Sequence, residues 1–206
     1  MEGRVLPVQA FLIAHPGGVL LFDTGMGAEH PRFDQLLAPT RRKLGDALAA
    51  IARKVDDVTA IVNCHLHYDH CGGNSLFPGV PTFVQAREYE ARGDLNWYVP
   101  DRVEFEGADL RLIDGEEEVT PGVRVVPTPG HTPGHESLVI RDGDGPVILA
   151  GQAAYTATEF ADPEAEPARG FKAAWNGQAF LQSIRVLREL NPQRVYFSHD
   201  AECWAP

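Results

Sequence analysis

Two apolar runs separated by a turn signal open the hydrophobic pattern of the chain. Residues 8–14 and 19–22 are rich in β-forming residues, and His15-Pro16-Gly17-Gly18 lies between them. This pattern predicts a β-hairpin, followed by a loop around Pro31. Residues 41–54 then carry apolar positions at helical spacing, with Arg and Lys on the opposite face, which predicts an amphipathic helix.

The remaining pattern predicts strands alternating with a few helices. Residues 59–63 form a β-branched run that is apolar on both faces, which is typical of a strand buried between layers. Helical spacing predicts helices near 86–91 and over 180–190, the second stopped by Asn191-Pro192. The other predicted strands are 81–84, 103–105, 110–113, 123–127, 137–141, 147–150 and 195–197.

Two segments are predicted to be irregular. Asp142-Gly143-Asp144-Gly145 is a hairpin-turn sequence. Residues 156–170 are rich in Glu, Ala and Pro and follow neither period, which predicts a mobile surface loop with a possible lid function. Because about ten strands and a few helices run on without a repeat or linker, we expect one domain over residues 1–206, an α/β sandwich with sites at strand ends.

Composition and charge exclude several classes of function. The 206 residues are 44% hydrophobic and 23% charged, as in an ordinary globular domain. The net charge of -11 repels phosphate backbones and anionic membrane surfaces, so neither a nucleic-acid nor a membrane partner is expected. No apolar run reaches the roughly 20 residues that span a bilayer, and no signal peptide is evident. Three cysteines without a C-x-x-C pair favour a reducing, cytoplasmic location.

Potential metal ligands are concentrated directly after the predicted buried strand. Residues 65–70 read HLHYDH and hold four such ligands in six positions. In an extended segment His65 and His67 point to the same side, and the turn that follows can bring Asp69 and His70 to an adjacent position. This loop therefore predicts a metal site with room for two ions.

Distant histidines can complete such a site, because tetrahedral zinc needs more than two protein ligands. His131 lies in the segment PGHTPGH and His199 in the segment FSHD, and both follow predicted strands. Glycine and proline around His131 suit a rigid turn that holds the imidazole at a fixed angle. A set of unrelated histidines could explain one such placement, but the joint pattern favours a metal centre.

These motifs resemble those of the metallo-β-lactamase-fold hydrolases over nearly the whole chain. Within that superfamily the sequence looks most like the N-acyl-homoserine lactonases. The segments that carry the likeness are LFDTGM at 21–26, HLHYDHCGGN at 65–74, TPGHTPGH at 128–135, GQAAYT at 151–156 and SHD at 198–200. The resemblance implies an αββα sandwich with a dinuclear centre, usually of zinc.

Carried over residue by residue, the resemblance implies a ligand set and two catalytic residues. One metal would be held by His65, His67 and His131, and the other by Asp69, His70 and His199. Tyr155 would contact the carbonyl or ring oxygen of the substrate, and Asp69 would accept or pass on a proton as the ring opens. The implied reaction is the opening of an N-acyl-homoserine lactone, a quorum-quenching reaction, by attack of metal-bound hydroxide on the ester carbonyl.

Two further polar residues are predicted to support the site. Asp23 belongs to an Asp-Thr-Gly triplet, but an aspartic protease needs a second such triplet, so we interpret Asp23 as a residue behind the ligands. His135 is expected to buttress the turn around His131 rather than bind metal. Four aromatic residues near the expected cleft either line an acyl pocket or pack the loops: Trp97, Tyr98, Phe171 and Trp175.

Gln152 departs from the pattern of the family, which has a bridging carboxylate, usually aspartate, at this position. Glutamine is uncharged and a weak oxygen donor, so the second metal is expected to bind less tightly. Three outcomes stay open: two metals joined only by hydroxide, one metal on the three histidines with Asp69 as a general base, or altered chemistry. We therefore expect one or two zinc ions, or other divalent metals, per chain.

Two alternative functions also stay open. The protein could hydrolyse another lactone, ester or thioester, because this fold supports many hydrolases. It could instead be a non-catalytic binding module in which Gln152 impairs the dinuclear site. A leading strand expected of larger lactonases has little room before the hairpin, which would leave a sheet edge exposed or covered by a partner subunit, so a homodimer is a further hypothesis.

Overall fold

Two five-stranded β-sheets form the centre of the computed structural model, which describes residues 5–143, 145–164 and 172–206. The strands are β1 Phe11–His15, β2 Gly18–Phe22, β3 Val58–Val62, β4 Pro81–Gln85, β5 Asp109–Ile113, β6 Glu117–Thr120, β7 Val123–Pro127, β8 Glu136–Asp142, β9 Gly145–Leu149 and β10 Arg194–Tyr196. The helices are α1 Pro31–Leu37, α2 Leu44–Ala49, α3 Tyr68–Cys71, α4 Ala86–Ala91, α5 Pro100–Val103, α6 Ala157–Ala161 and α7 Gly177–Glu189.

Strand direction brings several strand ends to one edge of the molecule. The first sheet has the order β1-β2-β3-β4-β5; β1 pairs antiparallel with β2, and the strands from β2 to β5 are parallel. The second sheet has the order β10-β9-β8-β7-β6, with β10 parallel to β9 and the other pairs antiparallel. Because parallel strands end at the same edge, the loops after them can converge on one site.

The apolar faces of the two sheets pack against each other. Phe22 and Val62 of the first sheet share a buried cluster with Val125, Leu138 and Leu149 of the second. Helices cover the outer faces, where they bury the alternate strand residues. The outer clusters comprise Leu21, Ile61 and Leu48 on one side, and Val126, Ile148, Phe180, Ile184 and Leu187 on the other. This layering is the predicted αββα sandwich.

Most predicted strands are confirmed, and so are the β-hairpin and the C-terminal helix. Asn176 caps α7 by accepting a hydrogen bond from the backbone N–H of Ala179 at 3.1 Å. The helix ends as predicted, because Asn191 adopts a left-handed conformation with φ of 49°. Within the described residues, the structure has no helix with the length and apolar character needed to cross a membrane.

Three predicted elements need correction, and one strand was not predicted. Residues 103–105 are not a strand, because Val103 ends helix α5 and is buried there. The helix predicted over 41–54 is only Leu44–Ala49. The expected loop at Pro31 is helix α1, which proline can begin because its missing N–H lies in the first turn. Strand β6 was missed, since its Glu-Glu-Val-Thr sequence is largely exposed.

The predicted lid segment is partly helical. Helix α6 begins after Thr156, whose hydroxyl accepts a hydrogen bond from the backbone N–H of Glu159. Residues 165–170 of that segment lie outside the described residues, as does Asp144 of the predicted turn. The turn still joins a paired hairpin, in which Asp142 of β8 is opposite Gly145 of β9.

Candidate metal centre

The first sheet delivers four candidate ligands to the edge where its parallel strands end. His65 and His67 follow β3, and helix α3 begins immediately after His67. Asp69 and His70 lie on this four-residue helix. The short helix therefore turns the chain between the His65–His67 pair and the Asp69–His70 pair, so that each pair can face its own metal position.

The second sheet supplies the remaining candidate residues at the same edge. His131 lies in the loop after β7, Gln152 in the loop after β9, and His199 in the loop after β10. The loop around His131 is anchored on helix α7, because its Ser183 hydroxyl donates to the carbonyl of Pro129 at 2.7 Å. The candidate site therefore spans both sheets.

The six predicted ligands form two groups of donor atoms. Nε2 of His131 lies 3.2 Å from Nδ1 of His67, and Oδ2 of Asp69 lies 3.5 Å from Nε2 of both His70 and His199. The donor atoms of each group lie within 4.8 Å of one another, and the groups are His65, His67 and His131, and Asp69, His70 and His199. These are the two sets that the resemblance implied.

The chemistry of the first group suits a divalent cation. Nε2 of His65 is buried and has no hydrogen-bond partner among the described residues, which is costly unless a ligand occupies it. Burial and neighbouring imidazoles hold the pKa of His65 and His131 well below the usual range, and burial lowers the pKa of His67 to about 4. The three rings are therefore neutral at pH 7, which is the form that binds metal.

Asp23 orients His70 from behind. Its Oδ2 lies 2.8 Å from Nδ1 of His70, and its Oδ1 accepts the backbone N–H of Cys64 at 2.9 Å. With Nδ1 donating to Asp23, Nε2 of His70 is left facing Asp69. Burial alone would lower the pKa of His70, but the carboxylates of Asp69 and Asp23 raise it.

His135 uses both ring nitrogens within the protein. Its Nδ1 lies 3.1 Å from the carbonyl oxygen of Thr128, and its Nε2 accepts the backbone N–H of Gln152 at 2.9 Å. Burial lowers the pKa of His135 to about 3, so the ring is neutral. This arrangement fixes the loops after β7 and β9 to each other, and the buttressing of His131 stays a prediction.

Gln152 and Tyr155 lie among the candidate ligands. Gln152 is buried, its side chain reaches the imidazole of His70, and its Oε1 has no well-formed hydrogen bond among the described residues. The ring of Tyr155 stacks on His199 with centroids 5.4 Å apart, and its centroid is 5.9 Å from that of His131. Tyr155 therefore contacts a ligand from each donor group.

Two of the four aromatic residues lie beside the candidate ligands. The ring of Trp97 is 6.4 Å from that of His67, measured between centroids, and the backbone N–H of Trp175 donates to the carbonyl of His131. Trp175 is 55% exposed, and the guanidinium of Arg87 lies over its ring, 5.6 Å from the centroid. Tyr98 instead donates its hydroxyl to Glu104, and Phe171 lies outside the described residues.

Glu88 is a buried residue of this region that the sequence pattern did not indicate. It lies on α4, is fully buried, and accepts hydrogen bonds from the backbone N–H groups of Leu66 and Gly134, each at 3.0 Å. The helix at 86–91 was predicted, but the pattern did not show which of its polar residues turns inward. Only the position of α4, directly after a buried strand, hinted at a role.

The fold and the donor groups together define the class of protein. The chain belongs to the metallo-beta-lactamase superfamily, whose sequence model matches residues 3–199. Within this superfamily it belongs with the N-acyl homoserine lactonases. It is 33% identical to the N-acyl homoserine lactonase of Bacillus thuringiensis subsp. kurstaki over 213 residues, which cover 96% of this chain and 82% of the relative.

Further similarities support this placement. The N-acyl homoserine lactonase of Rhizobium radiobacter is 30% identical over 224 residues, which cover 97% of this chain and 84% of that protein. A solved N-acyl homoserine lactone hydrolase, with the product N-hexanoyl-L-homoserine bound at its catalytic metal centre, has a TM-score of 0.79 and 31% identity. That comparison covers 95% of this chain and 82% of the other.

Proposed function

We propose that this protein is a metal-dependent hydrolase that opens the ring of N-acyl homoserine lactones. The observation that carries the proposal is the convergence of two three-residue donor groups in a chain that is 33% identical to lactonases over most of its length. Zinc is the proposed metal, because three neutral imidazoles are a ligand set that catalytic zinc uses. Other lactones, esters and thioesters are the alternative substrates.

The proposed ligands follow the two donor groups. His65, His67 and His131 would hold one ion, while Asp69, His70 and His199 would hold the other. A bound divalent cation would polarise the ester carbonyl and lower the pKa of bound water to about 7. The protein itself contributes the fixed positions of the donors and the neutral state of the first three rings.

Asp69 and Tyr155 are the proposed catalytic residues. Burial acts to raise the pKa of Asp69, but His70 and His199 outweigh it and lower the pKa, so Asp69 is a carboxylate at neutral pH and can accept a proton. The Tyr155 hydroxyl can donate a hydrogen bond to the oxygen on which charge develops, and such a donor stabilises the transition state of acyl transfer. Trp97 and Trp175 are proposed to contact the acyl chain.

Gln152 is expected to give the two donor groups different affinities for metal. A carboxylate at this position would add a negative charge between two cations, and glutamine does not. We therefore expect the second group to bind its ion more weakly than the first. Hydrolysis does not require the second ion, because one metal on three histidines still activates water.

Elemental analysis paired with lactone hydrolysis tests this proposal. Protein purified without chelator is analysed for metals per chain, and hydrolysis of N-hexanoyl homoserine lactone is followed in a pH-stat. The wild type is expected to bind at least one metal and to open the lactone. Gln152→Asp is expected to raise occupancy of the second group, whereas Gln178→Asp, at an exposed residue of α7, is a matched control.

Each alternative predicts a different result of this experiment. Absence of turnover under any divalent metal would favour the non-catalytic module. Turnover of other esters or thioesters, without lactone opening, would favour the other-substrate hydrolase. Activity that appears only in Gln152→Asp would show that glutamine has changed the native function. The homodimer and the cytoplasmic location stay predictions, and sedimentation of the purified protein checks the first.

A further inference from the structure

Glu88 joins two loops that are distant in sequence. Its Oε1 accepts the backbone N–H of Leu66, which lies between His65 and His67. Its Oε2 accepts the backbone N–H of Gly134, in the loop that carries His131. One carboxylate therefore connects the loop after β3 of the first sheet to the loop after β7 of the second.

Packing alone does not explain a carboxylate at this position. Glu88 is fully buried and forms no ion pair with Lys or Arg among the described residues. Burial raises the pKa of Glu88, while the hydrogen bonds from Leu66 and Gly134 oppose that rise. An apolar residue would avoid the desolvation cost. A carboxylate has two oxygens that only accept, so it matches two N–H donors that approach from opposite sides.

The contact between the two loops also requires glycine at position 134. A Cβ atom added to Gly134 would lie 2.2 Å from the backbone nitrogen of Glu88 and 2.5 Å from its Cα. No side chain can be accommodated there without moving backbone. The loop of His131 therefore lies directly on the first turn of α4, which brings its N–H within reach of the Glu88 carboxylate.

We propose that Glu88 is a positioning residue that sets the spacing between the His65–His67 pair and His131. This inference rests on the ligand assignment of the proposed function. Glu88 acts through the backbone and does not contact the metal. Without this link, the two loops would have to be ordered at the moment of binding, and part of the binding free energy would be lost to that ordering.

The variant Glu88→Gln tests the proposal with almost no change in volume. The amide retains one accepting oxygen but presents an NH2 donor to the second N–H, so only one loop can stay bonded. We expect the affinity of the first group for zinc to fall at least about tenfold, the lower end of the range for residues that orient ligands. Zinc affinity is measured by competition with a chromophoric chelator, and folding is checked by circular dichroism.

Glu136→Gln is the matched control. Glu136 is also fully buried, and its Oε2 accepts a hydrogen bond from Gln85 rather than from a ligand loop. We expect its zinc affinity to equal that of the wild type. Unchanged affinity in folded Glu88→Gln would overturn the proposal, and so would an equal loss in both variants. A wild type that binds no zinc would instead contradict the proposed function.

Amide hydrogen exchange in the metal-free wild type gives a second readout that needs no variant. If Glu88 links the loops before metal binds, the N–H groups of Leu66 and Gly134 are expected to exchange as slowly as those of the central strands. Exchange of either N–H at the rate of an exposed loop would overturn the proposal, even if Glu88→Gln failed to fold.

Discussion

The hydroxyl of Tyr155 is the one part of this side chain that phenylalanine lacks, so Tyr155→Phe isolates its contribution. The ring would still stack on His199, and the donor groups would be unchanged. Because a donor to a developing oxyanion contributes about 2.7 to 4 kcal/mol, we expect kcat for lactone opening to fall by about 100- to 1,000-fold. Metal content per chain is expected to stay the same.

A control variant shows whether removing any tyrosine hydroxyl lowers kcat, or only that of Tyr155. The Tyr196 hydroxyl accepts a hydrogen bond from Arg194 at the surface, so Tyr196→Phe is expected to leave kcat unchanged. If Tyr155→Phe also retained full kcat, Tyr155 would be a packing residue. Loss of metal together with kcat would likewise contradict a role in charge stabilisation.

Asp23→Asn is predicted to weaken the second donor group selectively. The Asn oxygen can still accept the N–H of Cys64, but its NH2 group would face Nδ1 of His70, where the wild type has an acceptor. The ring would lose the partner that fixes its tautomer, and such losses cost about 10- to 100-fold in metal affinity. Metal titration followed by elemental analysis measures the effect on each group.

The first donor group serves as an internal reference for this variant. Its affinity is expected to be unchanged, because Asp23 contacts none of its imidazoles. Asp109→Asn, at a partly exposed carboxylate of β5 paired with Arg111, is the external control. Equal weakening of both groups would mean that Asp23 supports the whole loop rather than His70.

Residue spacing was enough to propose the ligands, but it did not show how the supporting residues make their contacts. HLHYDH and the later histidines are a dense local pattern, so six ligands could be proposed without coordinates. His135 lies four residues from His131, and only its contacts with Thr128 and Gln152 show that both its nitrogens are used. Glu88 could not be found at all, because its partners are backbone N–H groups, which carry no sequence signal.

At the scale of elements, buried strands were predictable and exposed or short elements were not. β3 and β8 each contain adjacent buried apolar residues, Ile61-Val62 and Leu138-Val139, and burial on both faces favours that pattern. Val103 was assigned to a strand because β-branched residues favour strands, but Pro100 begins a helical turn that buries it against Leu66 and Val84. β6 forms through pairing with β7, a contact its own sequence does not encode.

The turn after β9 has a strict requirement for glycine. Gly151 has φ of +59°, and an added Cβ would lie 2.7 Å from Cβ of Cys64 and 2.9 Å from Nε2 of His135. An alanine at position 151 would have both a strained left-handed backbone and a Cβ that overlaps its neighbours. Gly151→Ala is therefore expected to lower the free energy of unfolding by about 2 to 4 kcal/mol. Urea denaturation measures the change.

Gly79→Ala is the control for the conformational part of this effect. Gly79 has φ of +77°, but an added Cβ would have no atom of the described residues within 4 Å, so only the backbone strain should remain. We expect a loss of about 1 to 2 kcal/mol. Equal losses in the two variants would mean that the contact with Cys64 and His135 relaxes without cost.

At the scale of the whole molecule, the candidate centre lies across the boundary between the two sheets. The first donor group takes two residues from the loop after β3 and one from the loop after β7, and the second combines α3 with the loop after β10. A bound ion would therefore link the sheets, and Glu88 links the loops after β3 and β7 without it. Stability and metal affinity are coupled in this design, because both depend on how the sheets are held together.

Glu136 gives the stability of the whole molecule a specific dependence on pH. It is fully buried, and burial raises its pKa well above the usual value, with Glu88 and Asp23 adding to the rise. A carboxyl group with a raised pKa in the folded state contributes stability that is complete below its unfolded pKa, near 4.3, and is lost as pH rises through the folded pKa. The wild type is therefore expected to lose stability from this group between mildly acidic and neutral pH.

Glu136→Gln removes this titration while preserving an oxygen that can accept the hydrogen bond from Gln85. The free energy of unfolding of the variant, minus that of the wild type, is expected to increase from pH 5 to pH 7.5. The expected increase is about 1.4 kcal/mol for each pH unit between pH 5 and the folded pKa of Glu136. If that pKa lies above pH 7.5, the increase continues over the whole range. Urea denaturation at both pH values measures it, with Glu106→Gln as an exposed control. A difference that does not change with pH would show that the pKa of Glu136 is not raised in the folded state.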